Sequence, residues 1–152
     1  MAGVNNVPDW LIEALTPFFM RRSNEGMALA AAVNTWGVTS SSTAISRDAN
    51  TFASAISKTV TLTKASVVLL GFQAVAKTGT VGNPCQVQFY EGATALGKAC
   101  EAPDTAYAPI ALVWALSAAA GAHTYAVHYR RNGGSGIAYL DELVLVVIAL
   151  PV

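Results

Sequence analysis

The most informative pattern of hydrophobic and polar positions in this chain lies in its last thirty residues, at positions 121–150. Residues 121–131 alternate between two faces and predict a β-strand, one face of which carries His123, Tyr125, Val127 and Tyr129. A glycine-rich turn follows, and from position 143 to position 150 every residue is apolar. Such a strand must hide both of its faces from water. We expect one face to lie in the domain core and the other to be covered by another surface.

Residues 51–117 contain further short apolar runs, separated by Gly, Pro, Ser, Thr and Asn. Residues 51–62 predict a half-buried strand with Phe52 and Ile56 on one face, and residues 66–76 predict a central strand. In total the chain offers eight to ten such strands, with no helical crossover between them. We therefore predict an all-β protein, an antiparallel jelly-roll β-sandwich, and exclude a parallel α/β sheet. An up-and-down barrel is less consistent with strands of such unequal burial.

The first 26 residues lack the short runs of small and β-branched residues that begin at Met27, and they predict an N-terminal arm. Residues 27–152 are then the β-sandwich domain. Asn6 can cap a short helix, Pro8 suits its first turn, and Pro17 ends it after about two turns. A helix this short needs a surface to lie on. We expect that surface to be either its own domain or a neighbouring subunit. The residues predicted to make these arm contacts are Trp10, Leu11, Leu15, Phe18 and Phe19.

The composition of the chain favours an assembly. Of its 152 residues, 53% are hydrophobic and 12% are charged, about half the charged share of an ordinary soluble domain. Burial of apolar surface between subunits explains this low share of charged residues better than an alanine-rich monomeric fold does. Nine basic and nine acidic residues cancel, so neither nucleic acid nor a membrane is expected as a partner. We find no run long enough for a transmembrane helix and no secretory signal, so the protein is expected to stay where it is made or to leave by lysis.

Candidate catalytic and metal-binding residues are few. His123 and His128 are the only histidines, and their odd separation puts them on opposite faces of a strand, so we do not expect them to share a metal. Asp141 and Glu142 are adjacent, and adjacent strand residues point apart. A two-carboxylate hydrolase would need a partner from Glu91, Glu101 or Asp104. With no nucleophile motif and no phosphate-binding loop, we expect no enzyme, no catalytic residue, no metal and no cofactor.

Two cysteines, Cys85 and Cys100, raise the question of a disulfide. If Gly92 and Ala93 form a two-residue turn, counting outward sets the cysteines opposite each other, whereas a bulge at Gly97 would change that register. The count makes them a hydrogen-bonded pair, whose wide Cα spacing of about 5.5 Å directs the side chains less toward each other. Free thiols are therefore favoured, in keeping with the absence of a secretory signal.

The closing segments AGAHTYAVHYRR, NGGSG and LDELVLVVIAL, with VTLTKASVVLLGFQAVA upstream, resemble the trimeric jelly rolls of phage and virus structural proteins. The wider pattern is similar to trimers of the tumour-necrosis-factor and complement C1q type, in which the terminal strand lies near the threefold axis. A short N-terminal arm before such a domain resembles capsid decoration, or cement, proteins. Proteins of that kind stabilise a phage head by bridging its capsomers.

This resemblance implies a homotrimer that decorates a capsid, with the virion as its location and the major capsid protein as its partner. The side chains then expected at the trimer interface are Tyr125, Tyr129, Leu143, Leu145 and Val147. The alternative is a tail-fibre or receptor-binding domain on the same fold, which would bind carbohydrate. Its sugar-stacking side chains would come from Trp36, Tyr90, Tyr107 or Tyr139.

Overall fold

Alternating sequence and frequent turn residues produce an all-β structure. The computed structural model describes residues 35–102 and 105–152, and within these ranges it contains nine β-strands and no helix. The strands are β1 (Thr35–Ser41), β2 (Ile45–Arg47), β3 (Ala53–Leu62), β4 (Ser66–Thr78), β5 (Cys85–Glu91), β6 (Thr94–Ala102), β7 (Ala108–Ala118), β8 (Gly121–Arg131) and β9 (Ala138–Pro151). Residues 27–34 of the predicted domain lie outside the described residues. So does the predicted arm, with its helix and its contact residues Trp10, Leu11, Leu15, Phe18 and Phe19.

The nine strands form two antiparallel sheets. One sheet contains, in spatial order, β1, β9, β4 and β7, with the short β2 also paired to β9, and the other contains β3, β8, β5 and β6. In each sheet a late strand lies between two early ones, which is the double Greek-key arrangement of a jelly roll. The predicted antiparallel jelly-roll β-sandwich is therefore confirmed.

The core lies between the two sheets. Every even-numbered residue of β4 is buried, and β4 pairs with both β7 and β9, so the predicted central strand is indeed central. The largest fully buried side chains come from both sheets and include Phe72 and Leu145 on one side and Phe89 and Tyr125 on the other. Each such side chain contributes about 1.5–3 kcal/mol by leaving water.

Bulges determine which side chains of a strand face the core. Ala55 in β3 and Glu142 in β9 each mark one extra residue relative to the partner strand. Past such an insertion the inward and outward faces of the strand exchange. In β9, Leu140 faces the core before the bulge and Leu143 faces it afterwards. Glu142 itself has a φ of 52°, a left-handed conformation that few non-glycine residues adopt.

The hairpin between β5 and β6 carries a further bulge, which decides the disulfide question. It turns at Gly92 as predicted, but its register shifts in the stretch that contains Gly97, whose φ is 66°. Cys85 consequently lies opposite Ala102 and not opposite Cys100. Both cysteines are free thiols, and burial raises the pKa of Cys85 to about 12.

The five side chains predicted for the trimer interface lie in the core between the sheets. None of them exposes more than 5% of its surface, and they are Tyr125, Tyr129, Leu143, Leu145 and Val147. The aromatic face of β8 points inward, and the bulge at Glu142 turns the odd-numbered residues beyond it inward as well. The choice of these residues for a threefold contact is therefore corrected. The residues of β9 that face away from the core are Val144, Val146, Ile148 and Leu150.

Candidate functional site

Much of the outward side of the five-stranded sheet is apolar, and this part draws on all four of its long strands. Ile148 at the centre of β9 lies between Trp36 of β1 and Leu69 of β4. Trp36 exposes 52% of its surface, and Val113 on the edge strand β7 exposes 73%. We call this surface the apolar face, and it is formed by Trp36, Val38, Val67, Leu69, Val113, Ala115, Val146, Ile148 and Leu150. The terminal strand is thus apolar on both sides, as its sequence predicts.

A second surface lies on the outward side of the four-stranded sheet. The bulge at Ala55 turns Phe52 outward, where it joins Tyr90 of β5 and His128 and Arg130 of β8. The rings of Tyr90 and His128 are stacked with centroids 4.0 Å apart and planes 13° from parallel. The Phe52 centroid lies 5.9 Å from that of Tyr90 and 4.5 Å from the guanidinium carbon of Arg130. We call these four side chains the aromatic–arginine cluster.

Neutral partners hold the Arg130 side chain in place. Its Nε donates to Oε1 of Gln86 at 2.6 Å, and its Nη1 donates to the carbonyl oxygen of Asn50 at 3.1 Å. Gln86 is 7% exposed and donates through Nε2 to Glu101, which also accepts a hydrogen bond from Asn132 at 3.1 Å. The guanidinium is therefore fixed between a buried amide and the loop that precedes β3.

The aromatic–arginine cluster carries one positive charge at neutral pH. The guanidinium of Arg130 supplies this charge, whereas burial lowers the pKa of His128 and favours its neutral imidazole. Among residues 35–102 and 105–152, no carboxylate oxygen lies within 4.0 Å of the Arg130 guanidinium nitrogens. The ion pair seen in this part of the chain joins His123 to Glu91, toward the other end of β8. Charge, aromatic rings and hydrogen-bonding groups together suit a polar ligand that has one apolar side.

The four aromatic residues predicted to stack on sugars are not in one place. Trp36 lies on the apolar face. Tyr107 and Tyr139 flank the ammonium group of Lys77, whose nitrogen is 4.6 Å and 4.8 Å from their ring centroids. Tyr90 alone belongs to the aromatic–arginine cluster. The sugar-stacking alternative therefore retains one of its predicted residues in a cluster with other aromatic rings.

The carboxylates considered for a hydrolase are also apart. Asp141 accepts the backbone N–H of Glu142 at 2.8 Å, on the five-stranded sheet. Glu91 belongs to the ion pair with histidine, and Glu101 to the amide network beside the cluster, both on the four-stranded sheet. Asp104 lies outside the described residues. Of the predicted partners, the two that the structure describes, Glu91 and Glu101, thus lie on the other sheet from Asp141 and Glu142.

His123 and His128 lie on opposite faces of β8, as predicted. Within the two described ranges, no group of three or more His, Cys, Asp and Glu side chains is arranged to hold a metal ion. A search of the same ranges finds no helix with the length and apolarity needed to cross a membrane.

An open cleft of about 450 Å³ lies between the two sheets, where the edge of β6 faces the edge of β7. Its walls include Phe89, Leu112 and the ring of Trp114, which packs against Gly97. This cleft leaves Trp114 39% exposed at the side of the sandwich.

No protein-family model and no curated protein matches this sequence. Similar solved structures include the infectious bursal disease virus Gx strain (12% identity, TM-score 0.48), dimeric latent PorU from Porphyromonas gingivalis (9%, 0.44) and a family 16 carbohydrate-binding module (17%, 0.40). The match to the virus structure covers 78% of this chain and 33% of that chain. The match to PorU covers 71% of this chain and 12% of that chain, and the match to the carbohydrate-binding module covers 71% and 73%. The chain therefore spans a third or less of the first two. These likenesses concern the β-sandwich fold.

Proposed function

We propose that this chain is a non-enzymatic structural protein of a virus particle, which assembles as a homotrimer and decorates a phage capsid. The observation that carries the proposal is the apolar face, at whose centre Ile148 lies between Trp36 and Leu69. The low share of charged residues, 12%, fits a protein that buries such a face against other chains. Further copies of the same chain provide the cover.

Burial of the apolar face would stabilise an assembly. Apolar area removed from water contributes about 25 cal/mol per Å², and specific interfaces bury on the order of 1,600 Å² in total. The loss of translational and rotational freedom on association offsets much of this gain. We expect an interface that draws on all four long strands of the sheet to approach that area.

The proposed attachment to a capsid rests on the sequence of the arm. Residues 1–26 combine a predicted short helix with apolar side chains that need a surface, namely Trp10, Leu11, Leu15, Phe18 and Phe19. We assign contact with the major capsid protein to this arm and trimer formation to the apolar face. The virion is then the location of the protein, and neither nucleic acid nor a membrane is its partner.

A charge placed in the apolar face tests the assembly. At micromolar concentration, sedimentation equilibrium of the wild type should give about 47 kDa, three times the chain mass of 15.8 kDa. Ile148→Lys should give monomers, because each interface of the trimer would then bury an unpaired ammonium group. Ser57→Lys makes the same change of charge on the opposite sheet and should leave the trimer intact. A wild type that sediments as a monomer or a dimer would overturn the threefold assembly.

Deletion of residues 1–22 tests the arm separately. The truncated protein should still sediment as a trimer but should no longer co-sediment with capsids that lack their decoration protein. Circular dichroism shows whether the truncated chain keeps its β-sandwich. Unchanged capsid binding would remove the proposed role of the arm.

Carbohydrate recognition, as in a tail-fibre or receptor-binding domain, is the second candidate function. The aromatic–arginine cluster favours it, because half-buried rings of Phe52 and Tyr90 lie beside the guanidinium of Arg130, which has N–H groups beyond those bonded to Gln86 and Asn50. The C–H face of a sugar ring packs on aromatic surfaces, while its hydroxyls need polar partners. Glycan-array binding by the wild type that is lost in Tyr90→Ala but kept in Tyr107→Ala would support this function. Absence of binding to any glycan would reject it.

A further inference from the structure

We propose that the aromatic–arginine cluster binds an acidic saccharide, a hexuronate, whose carboxylate is held by Arg130. This inference rests on the carbohydrate-binding function proposed above and names the ligand class for the same site. The observation behind the inference is the guanidinium of Arg130, which neutral groups hold in place. No carboxylate oxygen of the described residues lies within 4.0 Å of its nitrogens.

The hydrogen bonds of Arg130 leave room for a carboxylate. A guanidinium has five N–H groups in one plane, and contacts within the described chain use one on Nε and one on Nη1. Both N–H groups of Nη2 and the second one of Nη1 are left for a ligand. A carboxylate accepts two parallel N–H groups of a guanidinium at once, and the charge makes these bonds stronger than those between neutral groups.

The position of Arg130 is set before a ligand arrives. Its guanidinium is bonded to Gln86 and to the backbone of Asn50, and the guanidinium carbon lies 4.5 Å from the Phe52 ring centroid. The loop at Asn50 is itself held, because Arg47 donates to the carbonyl and hydroxyl oxygens of Thr51 at 2.7 Å and 2.8 Å. Little side-chain entropy is then lost when the ligand binds, which favours affinity.

The rings beside Arg130 explain why a sugar acid fits better than a simple carboxylate. Phe52 and Tyr90 are both half-buried, and they offer an apolar surface next to the charged group. A small carboxylate would leave that surface uncovered, and a neutral sugar would leave the guanidinium without its charged partner. A hexuronate supplies an apolar C–H face and a carboxylate on one ring.

Glu101 lies close enough to influence this site through its negative charge. Its carboxylate accepts hydrogen bonds from Gln86 and Asn132, so it is one residue removed from Arg130. An anionic ligand is repelled by it, whereas a neutral ligand is not. Glu101→Gln keeps an acceptor oxygen for both amides and removes the charge, so it should strengthen binding of the acid alone.

Calorimetric titration of the full chain tests the inference with trisaccharides of glucuronate, galacturonate and mannuronate and with their methyl esters, which keep the shape and remove the charge. At least one acid should bind tenfold or more tightly than its ester. Arg130→Gln should abolish that difference, Glu101→Gln should increase it severalfold, and Lys98→Gln, with the same loss of charge on a different surface, should leave it unchanged. Thermal unfolding confirms that each variant is folded.

The outcomes separate the two proposals. Equal binding of acid and ester, unaffected by Arg130→Gln, would overturn the assignment of an acidic ligand and leave carbohydrate binding standing. Binding of neither acid nor ester, together with an empty glycan array, would reject both. Binding of the acid that survives Arg130→Gln would place the site elsewhere on the molecule and overturn the inference.

Discussion

Nδ1 of His123 lies 2.6 Å from Oε1 of Glu91, and its other ring nitrogen, Nε2, lies 2.9 Å from the carbonyl oxygen of Ala119. Both partners are acceptors, so only the imidazolium, with two N–H donors, satisfies both of them. The hydrogen bond to Glu91 raises the pKa of His123; burial acts against this, and the Ala119 carbonyl adds to it. The contact therefore joins β5 to the turn before β8 most strongly when His123 is charged.

We predict that Glu91→Gln lowers the free energy of unfolding more at pH 5.5 than at pH 8.5. A histidine whose pKa is raised by folding contributes stability that is fully present below its ordinary pKa of about 6.5. That contribution is lost as the pH rises through the pKa of the folded state. The pair is partly exposed, so the difference between the two pH values should not exceed about 1 kcal/mol. Urea unfolding of both proteins at each pH measures it.

His128 contributes in the opposite direction, since burial lowers its pKa and disfavours its charged form in the folded state. This contribution is common to the wild type and to Glu91→Gln, and it cancels in their difference. Glu101→Gln removes a carboxylate elsewhere on the same sheet and is the control that should show no such pH dependence. An equal loss of stability at both pH values would contradict the link to His123.

Gly97→Ala is predicted to destabilise the protein more than Gly92→Ala does. Both glycines have positive φ, 66° and 56°, which costs an L-residue about 1–2 kcal/mol. At position 97 a Cβ would also lie 2.7 Å from the Trp114 ring, whereas at position 92 it would meet open space. Displacing a packed ring adds about 1–3 kcal/mol. Because about 1 kcal/mol shifts the Tm of a domain of this size by about 2–4 °C, thermal unfolding resolves the two variants. Equal Tm values would show that Trp114 moves aside without cost.

Several features of the fold could be predicted because they depend only on local alternation and turn residues. The antiparallel sandwich, the central position of β4, the turn at Gly92 and the two-sided apolar character of β9 are of this kind. The pairing of β5 with β8, which brings Tyr90 beside His128, is a long-range contact that alternation does not specify.

Which side chains of a strand face the core could not be predicted in the same way. One extra residue in a strand exchanges its inward and outward faces. Alternation alone puts Phe52 on the same face as Ile56, and only the bulge at Ala55 moves it to the side of Arg130. No glycine or proline marks that bulge in the sequence. The sequence therefore does not predict the aromatic–arginine cluster, although Gln86, Gln88 and Tyr90 alternate with apolar residues along β5.

Tyr125→Phe is predicted to stabilise the protein or leave it unchanged. The hydroxyl of Tyr125 is buried without a hydrogen-bond partner in the described chain, and burial raises the pKa of this tyrosine to about 12. An unpaired buried hydroxyl costs about 1–3 kcal/mol, and the phenylalanine ring fills the same space without that cost. Tyr129→Phe is the matched control, since its hydroxyl is not buried without a partner in this way. A loss of stability on urea unfolding of Tyr125→Phe alone would show that its hydroxyl is hydrogen-bonded in solution.

The two cysteines are predicted to react with thiol reagents at very different rates. Cys85 is 0% exposed with a pKa of about 12, so almost none of it is thiolate at pH 8. Cys100 is half-buried beside the cleft and should be alkylated first in the native protein. Mass spectrometry after a short alkylation should find one modified thiol without urea and two with it, and Cys100→Ser should remove the first. Rapid native modification of Cys85 would contradict the core position given to it. A disulfide between the two on mild oxidation would require the β5–β6 register to slip by two residues, which the Gly97 bulge opposes.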